Sequence, residues 1–322
     1  IATIDDGSCI IQMTYIPDDN FETALIALGL DTFPLNDSIN TAAIDTVKLL
    51  YITSKSIYDL TGIEDFSALE ELDCSSNNLF SIDVQSNLML KELFIIGNPI
   101  SVINLDNNIN LTYLHIGATV IDYLDISNNI NLEWFNANFS SLDTLVLGNK
   151  PLLNYISATN NSLKTLDASD CGTLSYLLVN NNNLESLNLQ NGNNTGLSLY
   201  NSLNNPNLSC VQVDDANYSS TNWTNLDSWT AFSSNCLLTG CLDTMSCNYN
   251  PLAWIDDGSC LNIFGCTDSL ACNYDSFANC DNGSCLTIYG CTDILQFNYD
   301  STACIDDGFC IPYLNGCTDT TA

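Results

Sequence analysis

Three runs of hard oxygen donors recur in the last third of the chain, about 25 residues apart. The first sets out Asp243, Asn248, Asn250, Asp256 and Asp257; the second Asp268, Asn273, Asp275, Asp281 and Asn282; the third Asp293, Asn298, Asp300, Asp306 and Asp307. Asp5 and Asp6, in "IATIDDGSC" at 1–9, repeat the end of the pattern. Carboxylates, side-chain amides and loop carbonyls at this density suit calcium, which takes about six to eight oxygens at flexible geometry. The same residues, in Asp-Asp-Gly and Asn-Tyr-Asp, are also turn formers that need no ion. Structural Ca2+ is the expectation, with turns alone as its alternative.

A unit of that length has almost no core and needs disulfides, metal or both to hold one shape. Most of the sixteen cysteines lie from Cys236 onward. Such density in short units argues for an oxidising compartment and a disulfide framework. Zinc is a poor rival, because no C-x-x-C occurs and the single histidine, His115, lies far away in sequence. The simplest pairing joins the first and last cysteines of each unit: Cys241–Cys260, Cys266–Cys285 and Cys291–Cys310, with Cys272–Cys280 inside the second. Cys247 and Cys304 are then left single, to pair across units, to pair between chains or to stay reduced. Cys9 and Cys317 would bond to cysteines outside this stretch.

Other chemistry is poorly supplied. His115 alternates with Leu114 and Ile116 and so points outward, and no Ser or Cys in a nucleophile motif accompanies it. No Gly-rich phosphate loop is present, and the carboxylates are spread periodically rather than converged. Catalysis is not expected. Thirty-eight Asp and Glu against five Lys and Arg give a net charge of −33, which repels nucleic acid and makes a strongly solvated surface. No run of apolar residues is long enough for a membrane span.

What must position these groups is periodic. Leu72, Leu93, Leu114, Phe135, Ile156 and Leu177 are spaced by 21 residues. Ile82, Ile103, Leu124, Leu145, Leu166 and Leu187 follow them ten residues later with the same spacing. Each anchor has an apolar or small residue two places on, the alternation of a short strand with one face inward. Five residues after the first anchors come Asn77, Asn98, Thr119, Ser140, Asn161 and Asn182; after the second, Asn87, Asn108, Asn129, Lys150, Cys171 and Gly192. An inward asparagine at a corner can satisfy backbone groups of its own coil and the next. Lys150 and Gly192 break the pattern and predict a looser end to the second ladder. Cys74 and Cys171 fall at inward positions and read as packed thiols.

The residues before the first anchors are Glu71, Glu92, Tyr113, Trp134, Tyr155 and Tyr176. Four successive aromatics at this spacing predict a stripe up one exposed sheet face, beside His115. Such a stripe suits ligand or subunit contact, or else simply stacks to brace neighbouring coils.

The repeat, clearest in "LEELDCSSNNLFSIDVQSNLM" at 69–89, resembles the 21-residue bacterial leucine-rich repeats of internalin-like adhesins. "IPDDNFETALIALGL" at 16–30 is similar to the N-terminal cap of such proteins; Asp19 with Glu22 suggests a capping box, and Phe21, Leu25 and Leu28 share a helix face. The stretch 205–236 resembles the matching C-terminal cap, and that resemblance implies a Cys210–Cys236 disulfide with Trp223 and Trp229 covering the last coil. The tail resembles the Cys- and Asp-rich tandem repeats of large secreted Bacteroidetes surface proteins, for which type IX secretion is implied. It is also reminiscent of thrombospondin type 3 repeats but lacks their D-x-D-x-D-G loop.

The expected fold class is therefore mainly β: a leucine-rich repeat solenoid with a short helical N-terminal cap, followed by small, disulfide-rich, loop-dominated repeats. Residues 1–9 end a preceding Cys/Asp-rich repeat, 10–59 form the N-terminal cap, 60–205 the leucine-rich repeats and 206–238 the C-terminal cap. Residues 239–315 hold three Cys/Asp-rich repeats and 316–322 start another. The expected role is a structural segment of a large extracellular, cell-surface protein, building a fibre or appendage used in attachment with other copies of itself. The alternative is an adhesin module binding a cell-surface glycan or protein through the solenoid face.

Overall fold

The computed structural model of the chain describes residues 11–236, 240–250, 253, 256–314 and 316. Asp5, Asp6, Cys9 and Cys317 lie outside the described residues. The chain divides after Cys236 into two compact units.

The first unit is the leucine-rich repeat solenoid. Three-residue strands recur at Glu71–Asp73, Glu92–Phe94, Tyr113–His115, Trp134–Asn136, Tyr155–Ser157 and Tyr176–Leu178, pairing parallel in register. Leu49–Tyr51 and Leu199–Asn201 extend this sheet to eight strands. The sheet thus begins inside the region expected to be only a cap. Because strand side chains alternate, each coil sends its central residue inward. Leu50, Leu72, Leu93, Leu114, Phe135, Ile156 and Leu177 form one buried column, closed by Tyr200. Two further columns at the same spacing complete the core: Leu69, Leu90, Leu111, Leu132, Leu153 and Leu174, and Leu79, Ile100, Ile121, Leu142, Leu163 and Leu184. Burial of such a side chain contributes about 1.5–3 kcal/mol, so each coil is held by the stack and not by itself.

The second anchor series faces the opposite side. Tyr123–Asp125 pairs with Thr144–Val146, and Thr165–Asp167, Ser186–Leu189, Cys210–Val213 and Ala231–Ser233 form a four-stranded sheet. The strands expected at Ile82 and Ile103 are absent, although both side chains are buried. Alternation fixes which side chains face the core; it does not by itself bring neighbouring carbonyls into bonding register.

The N-terminal cap is the helix Asp19–Ala27, packed through Phe21, Ala24 and Leu25. Its N-cap is Asp18, not the expected Asp19: Asp18 Oδ1 accepts from the backbone N–H groups of Asn20 and Phe21, both at 2.9 Å. Its second oxygen accepts from Tyr58 and Asp59 N–H at 2.7 and 3.0 Å, tying the helix to the first coil. Glu22 is not part of a capping box but buried, accepting from the N–H groups of Asn36 and Asp37 at 2.9 and 3.2 Å. Leu28 sits at the helix C-cap and is exposed, so Ala24 takes its expected place on the buried face.

At the other end Tyr200 stacks on Trp223, ring centroids 4.9 Å apart, and Phe232 meets both edge-on. Cys210 and Cys236 are bonded. Trp229, expected to help cover the last coil, is exposed; Phe232 has that role.

The second unit has little interior. Among its described residues the buried apolar ones are Cys241, Cys266, Ala271, Cys280 and Cys291. Two short parallel pairings, Phe264–Gly265 with Cys280–Asp281 and Tyr289–Gly290 with Ile305–Asp306, each tie the start of one acidic repeat to its own later half.

Candidate functional site

Two regions collect the candidate site residues: the exposed face of the eight-stranded sheet and the acidic units.

On the sheet face, Tyr113, Trp134, Tyr155 and Tyr176 stand in one row, each opposite the next across the parallel ladder. Tyr113 and Trp134 stack with centroids 4.0 Å apart and planes 7° from parallel. Trp134 and Tyr155 stack at 4.9 Å and 9°, while Tyr155 and Tyr176 tilt apart at 5.9 Å and 39°. Phe94 leans on Tyr113 from the neighbouring column, 5.4 Å away. Rings this close use up one another's faces, so a sugar ring has no room to stack between them; edges and hydroxyls are what the row presents. His115 meets Trp134 edge-on at 5.3 Å, and burial pulls its pKa below the ordinary histidine value. Braced edge-on against Trp134, the imidazole packs as part of the row.

The row changes character at its N-terminal end. Glu71 and Glu92 face each other directly across the sheet. Burial, and then the charge of Glu71, push the pKa of Glu92 up. The lysines on the same coils do not relieve this pair. Lys48 and Lys91 both bind Glu70, at 2.7 and 2.6 Å, and these two contacts hold its pKa down at about 2. Like charges in register are unfavourable, so this end of the face is suited to a cationic group.

The corner ladders run opposite to expectation, reaching the preceding coil rather than the next. Asn98 Nδ2 donates to Cys74 O and Ile95 O, both at 3.0 Å, and its Oδ1 accepts from Leu79 N–H at 3.1 Å. Asn77 and Asn182 repeat this, and Asn205 continues it past the last expected member. Where the asparagine is replaced, Ser140 Oγ spans to Ile116 O at 2.8 Å. In the second ladder Asn87, Asn108 and Asn129 donate in the same sense, but their Oδ1 atoms are buried without a partner. Lys150 then occupies an asparagine slot, fully buried, with Nζ only 3.3 Å from Ser127 O and 3.5 Å from Asn149 O. Burial pulls its pKa from 10.5 to about 8. Gly192 is not left as a gap, because Asn194, two residues on, donates to Leu189 O at 2.8 Å and accepts from Asp214 N–H. Cys74 and Cys171 are buried unbonded thiols, and burial pushes Cys171 up to about 12. Both are inert where they sit.

In the acidic units the candidate calcium ligands divide into two groups. Asn248, Asn273 and Asn298 spend both ends of their amides on the backbone. Each donates to the carbonyl eleven residues on (Ser259, Ser284, Phe309) at 2.7, 2.7 and 2.9 Å. Each accepts from the N–H thirteen residues on (Leu261, Leu286, Ile311) at 2.8, 2.7 and 2.6 Å. They are clamps that close the unit, a role legible only once the loop's return is known. The carboxylates cap turns two residues ahead. Asp243, Asp268 and Asp293 accept from Met245, Leu270 and Leu295, and Asp275 and Asp300 from Phe277 and Thr302. Asp256, Asp257, Asp281, Asn282, Asp306 and Asp307 do the same around the unit's glycine. Each unit is thus assembled by Asx turns. Asn250 donates its backbone N–H to Cys241 O at 3.0 Å. Among the described residues, the one trio of acidic groups within reach of a common ion is Asp19, Glu22 and Asp37 in the N-terminal cap, not in the tail.

The disulfides correct one expected pairing. Cys241–Cys260, Cys266–Cys285 and Cys291–Cys310 each close their own unit. Cys272 and Cys280 do not bond to each other. Cys280 takes Cys247 of the preceding unit, and Cys272 takes Cys304 of the following one. The two cysteines that seemed single in the sequence are therefore the partners of the pair that seemed obvious.

No protein-family model matches the chain. No curated protein matches it either. Similar solved structures include the functional domain of InlJ from Listeria monocytogenes, which includes a cysteine ladder: 21% identity over 63% of this chain and 52% of that one, TM-score 0.46. Others are internalin C2 from the same organism (16%, 70% and 100%, TM-score 0.40) and the leucine-rich repeat protein LIC12759 of Leptospira interrogans (15%, 60% and 63%, TM-score 0.37). The chain spans about half the length of the InlJ domain. At these values the fold rests on the chain's own strand register and corner ladders. Among the described residues no helix is long and apolar enough to cross a membrane.

Proposed function

We propose that this chain is a non-enzymatic, load-transmitting segment of a large extracellular surface protein, part of a fibre or appendage used in attachment. The observation that carries this reading is the bridging of the tail: every acidic unit is closed on itself and bonded to its neighbour. Such bonds preserve length and connection. The stacked row on the sheet face supports the same reading, since rings that brace one another stiffen the solenoid. Extracellular placement fits six disulfides. Membership in a Bacteroidetes-type tandem array, and export by the type IX route, belong to this proposal and rest on the sequence resemblance alone.

Calcium enters in a reduced form. The amides of Asn248, Asn273 and Asn298 are occupied, and Asp243 and Asp293 use both carboxylate oxygens. The other turn-capping carboxylates accept through one oxygen and offer the second to solvent-side cations. Calcium then adds stability to units that fold through their bridges.

The second reading, a docking module, is favoured by the Glu71–Glu92 pair beside the aromatic row, where the Tyr51 hydroxyl donates to Glu71 while Lys48 and Lys91 are engaged by Glu70. It points to a basic protein surface rather than a glycan. Sedimentation of the purified chain from about 1 to 100 μM separates the readings. The structural reading predicts self-association weakened by Trp134→Ala. A chain that stays monomeric throughout, but binds attachment surfaces saturably, contradicts it and supports docking.

A further inference from the structure

The bridges of the tail form a network with a mechanical property that no single bridge has. Each within-unit disulfide spans a sequence separation of 19, with Cα atoms 4.7, 4.8 and 4.9 Å apart. The shortest covalent route from Cys241 to Cys310 crosses these three bonds. Its only peptide segments are the two connectors, Cys260 to Cys266 and Cys285 to Cys291. Drawn out fully, that route is about 56 Å long, against about 240 Å for the same stretch without bridges. Tension on the chain therefore bypasses the loops that carry the clamps and turns.

We infer that Cys247–Cys280 and Cys272–Cys304 make this tail a redundant strap, whose length under tension survives the loss of any one bridge. Both ends of each lie inside a within-unit loop: Cys247 inside the first, Cys272 and Cys280 inside the second, Cys304 inside the third. If Cys266–Cys285 is lost, the load passes from Cys241 to Cys247, across to Cys280, on to Cys291 and across to Cys310. The detour lengthens the route by about 15 Å. Loss of Cys241–Cys260 leaves the same detour. Loss of Cys291–Cys310 leaves the route through Cys272–Cys304, again about 15 Å longer. Without the inter-unit bridges each of these losses would release the whole loop, about 60 Å.

The strap is also bounded at three units. The backbone N–H of Cys247 donates to Leu261 O and that of Cys272 to Leu286 O; at the equivalent place in the third unit Phe297 donates to Ile311 O. Phe297 thus stands where the next bridge would start, and it packs edge-on against Tyr313 at 5.8 Å instead. In the first unit "LAWIDDGSC" has no cysteine where Cys280 and Cys304 receive theirs. The network has a defined beginning and end and is not an open-ended series.

This inference rests on the load-transmitting reading for its purpose, but its test does not. The full chain is pulled between its ends by single-molecule force spectroscopy under non-reducing conditions, and the total extension is compared between variants. C266S/C285S should lengthen the chain by about 15 Å, and C291S/C310S likewise. Either pair combined with C247S/C280S and C272S/C304S should lengthen it by about 60 Å. Non-reduced peptide mapping of each variant verifies the remaining bonds. An extension near 60 Å in the two-cysteine variants, or scrambled bonds in the mapping, overturns the strap. Correct extensions in a protein whose removal leaves attachment intact would instead overturn the proposed function alone.

Discussion

The solenoid and the acidic tail solve the same problem with opposite means. Both are tandem repeats whose single unit cannot fold alone. In the solenoid, neighbouring coils share three apolar columns and hand hydrogen bonds backward through the corner asparagines. Its covalent help is one bond at the C-terminal cap. Among the tail's described residues the buried apolar ones are half-cystines and one alanine, and many large apolar side chains, such as Met245, Leu270 and Leu295, lie exposed. There, shape comes from five disulfides and a set of turn-capping side chains. Noncovalent stacking holds a surface in place cooperatively; covalent bridging holds a length.

Ways to break that contrast differ in size. The largest belongs to the solenoid core: Phe135→Ala should cost about 3–5 kcal/mol in chemical denaturation, while leaving the tail's disulfide map unchanged. Asn182→Ala comes next, since it strips partners from Ala158 O, Val179 O and Leu163 N–H, about 1–3 kcal/mol. The matching clamp change in the tail, Asn273→Ala, should be milder, about 0.5–1.5 kcal/mol, because its site is exposed and its loop is already closed.

Lys150→Asn sharpens the comparison in the other direction. It returns the ladder's own residue to a buried slot and should stabilise the solenoid by about 1–2 kcal/mol below pH 8. The sign follows from the pKa. In the folded chain Lys150 titrates near 8, below its ordinary 10.5, so the unfolded chain holds more protons between those values. The penalty of the buried amine is complete below about pH 8 and is relieved as pH rises toward 10.5. The difference in melting midpoint between the two proteins should narrow across that window. The smallest effect is removal of calcium: EDTA should lower the melting midpoint of the tail by a few degrees without unfolding it.

The periodic parts of this structure were legible because one residue type does one job at one spacing. The column from Leu72 to Leu177, the aromatic row and the corner asparagines follow directly from alternation and stacking, whereas the Leu69 and Leu79 columns lie at the coil's turns, outside the strand alternation. What escaped was set by partners distant in sequence. Cys247 and Cys304 looked single because pairing within a unit is the shortest choice, and six cysteines already allow about 15 pairings. Asn248, Asn273 and Asn298 looked like ligands because an amide that clamps a returning loop has the same chemistry as one that holds an ion. Asp18 displaced Asp19 at the N-cap because it also serves the backbone of Tyr58 and Asp59. Asn194 replaced the missing corner residue after Gly192 through a two-residue offset that strict counting passes over.

The central claim, that packing holds one half and bonds hold the other, is tested most directly by hydrogen exchange on the full chain with and without a thiol reductant. Reduction should abolish amide protection across 241–310, with or without calcium, and leave the coils from Leu72 to Leu177 protected. Retained protection of the tail after reduction would contradict the account, as would loss of protection in those coils.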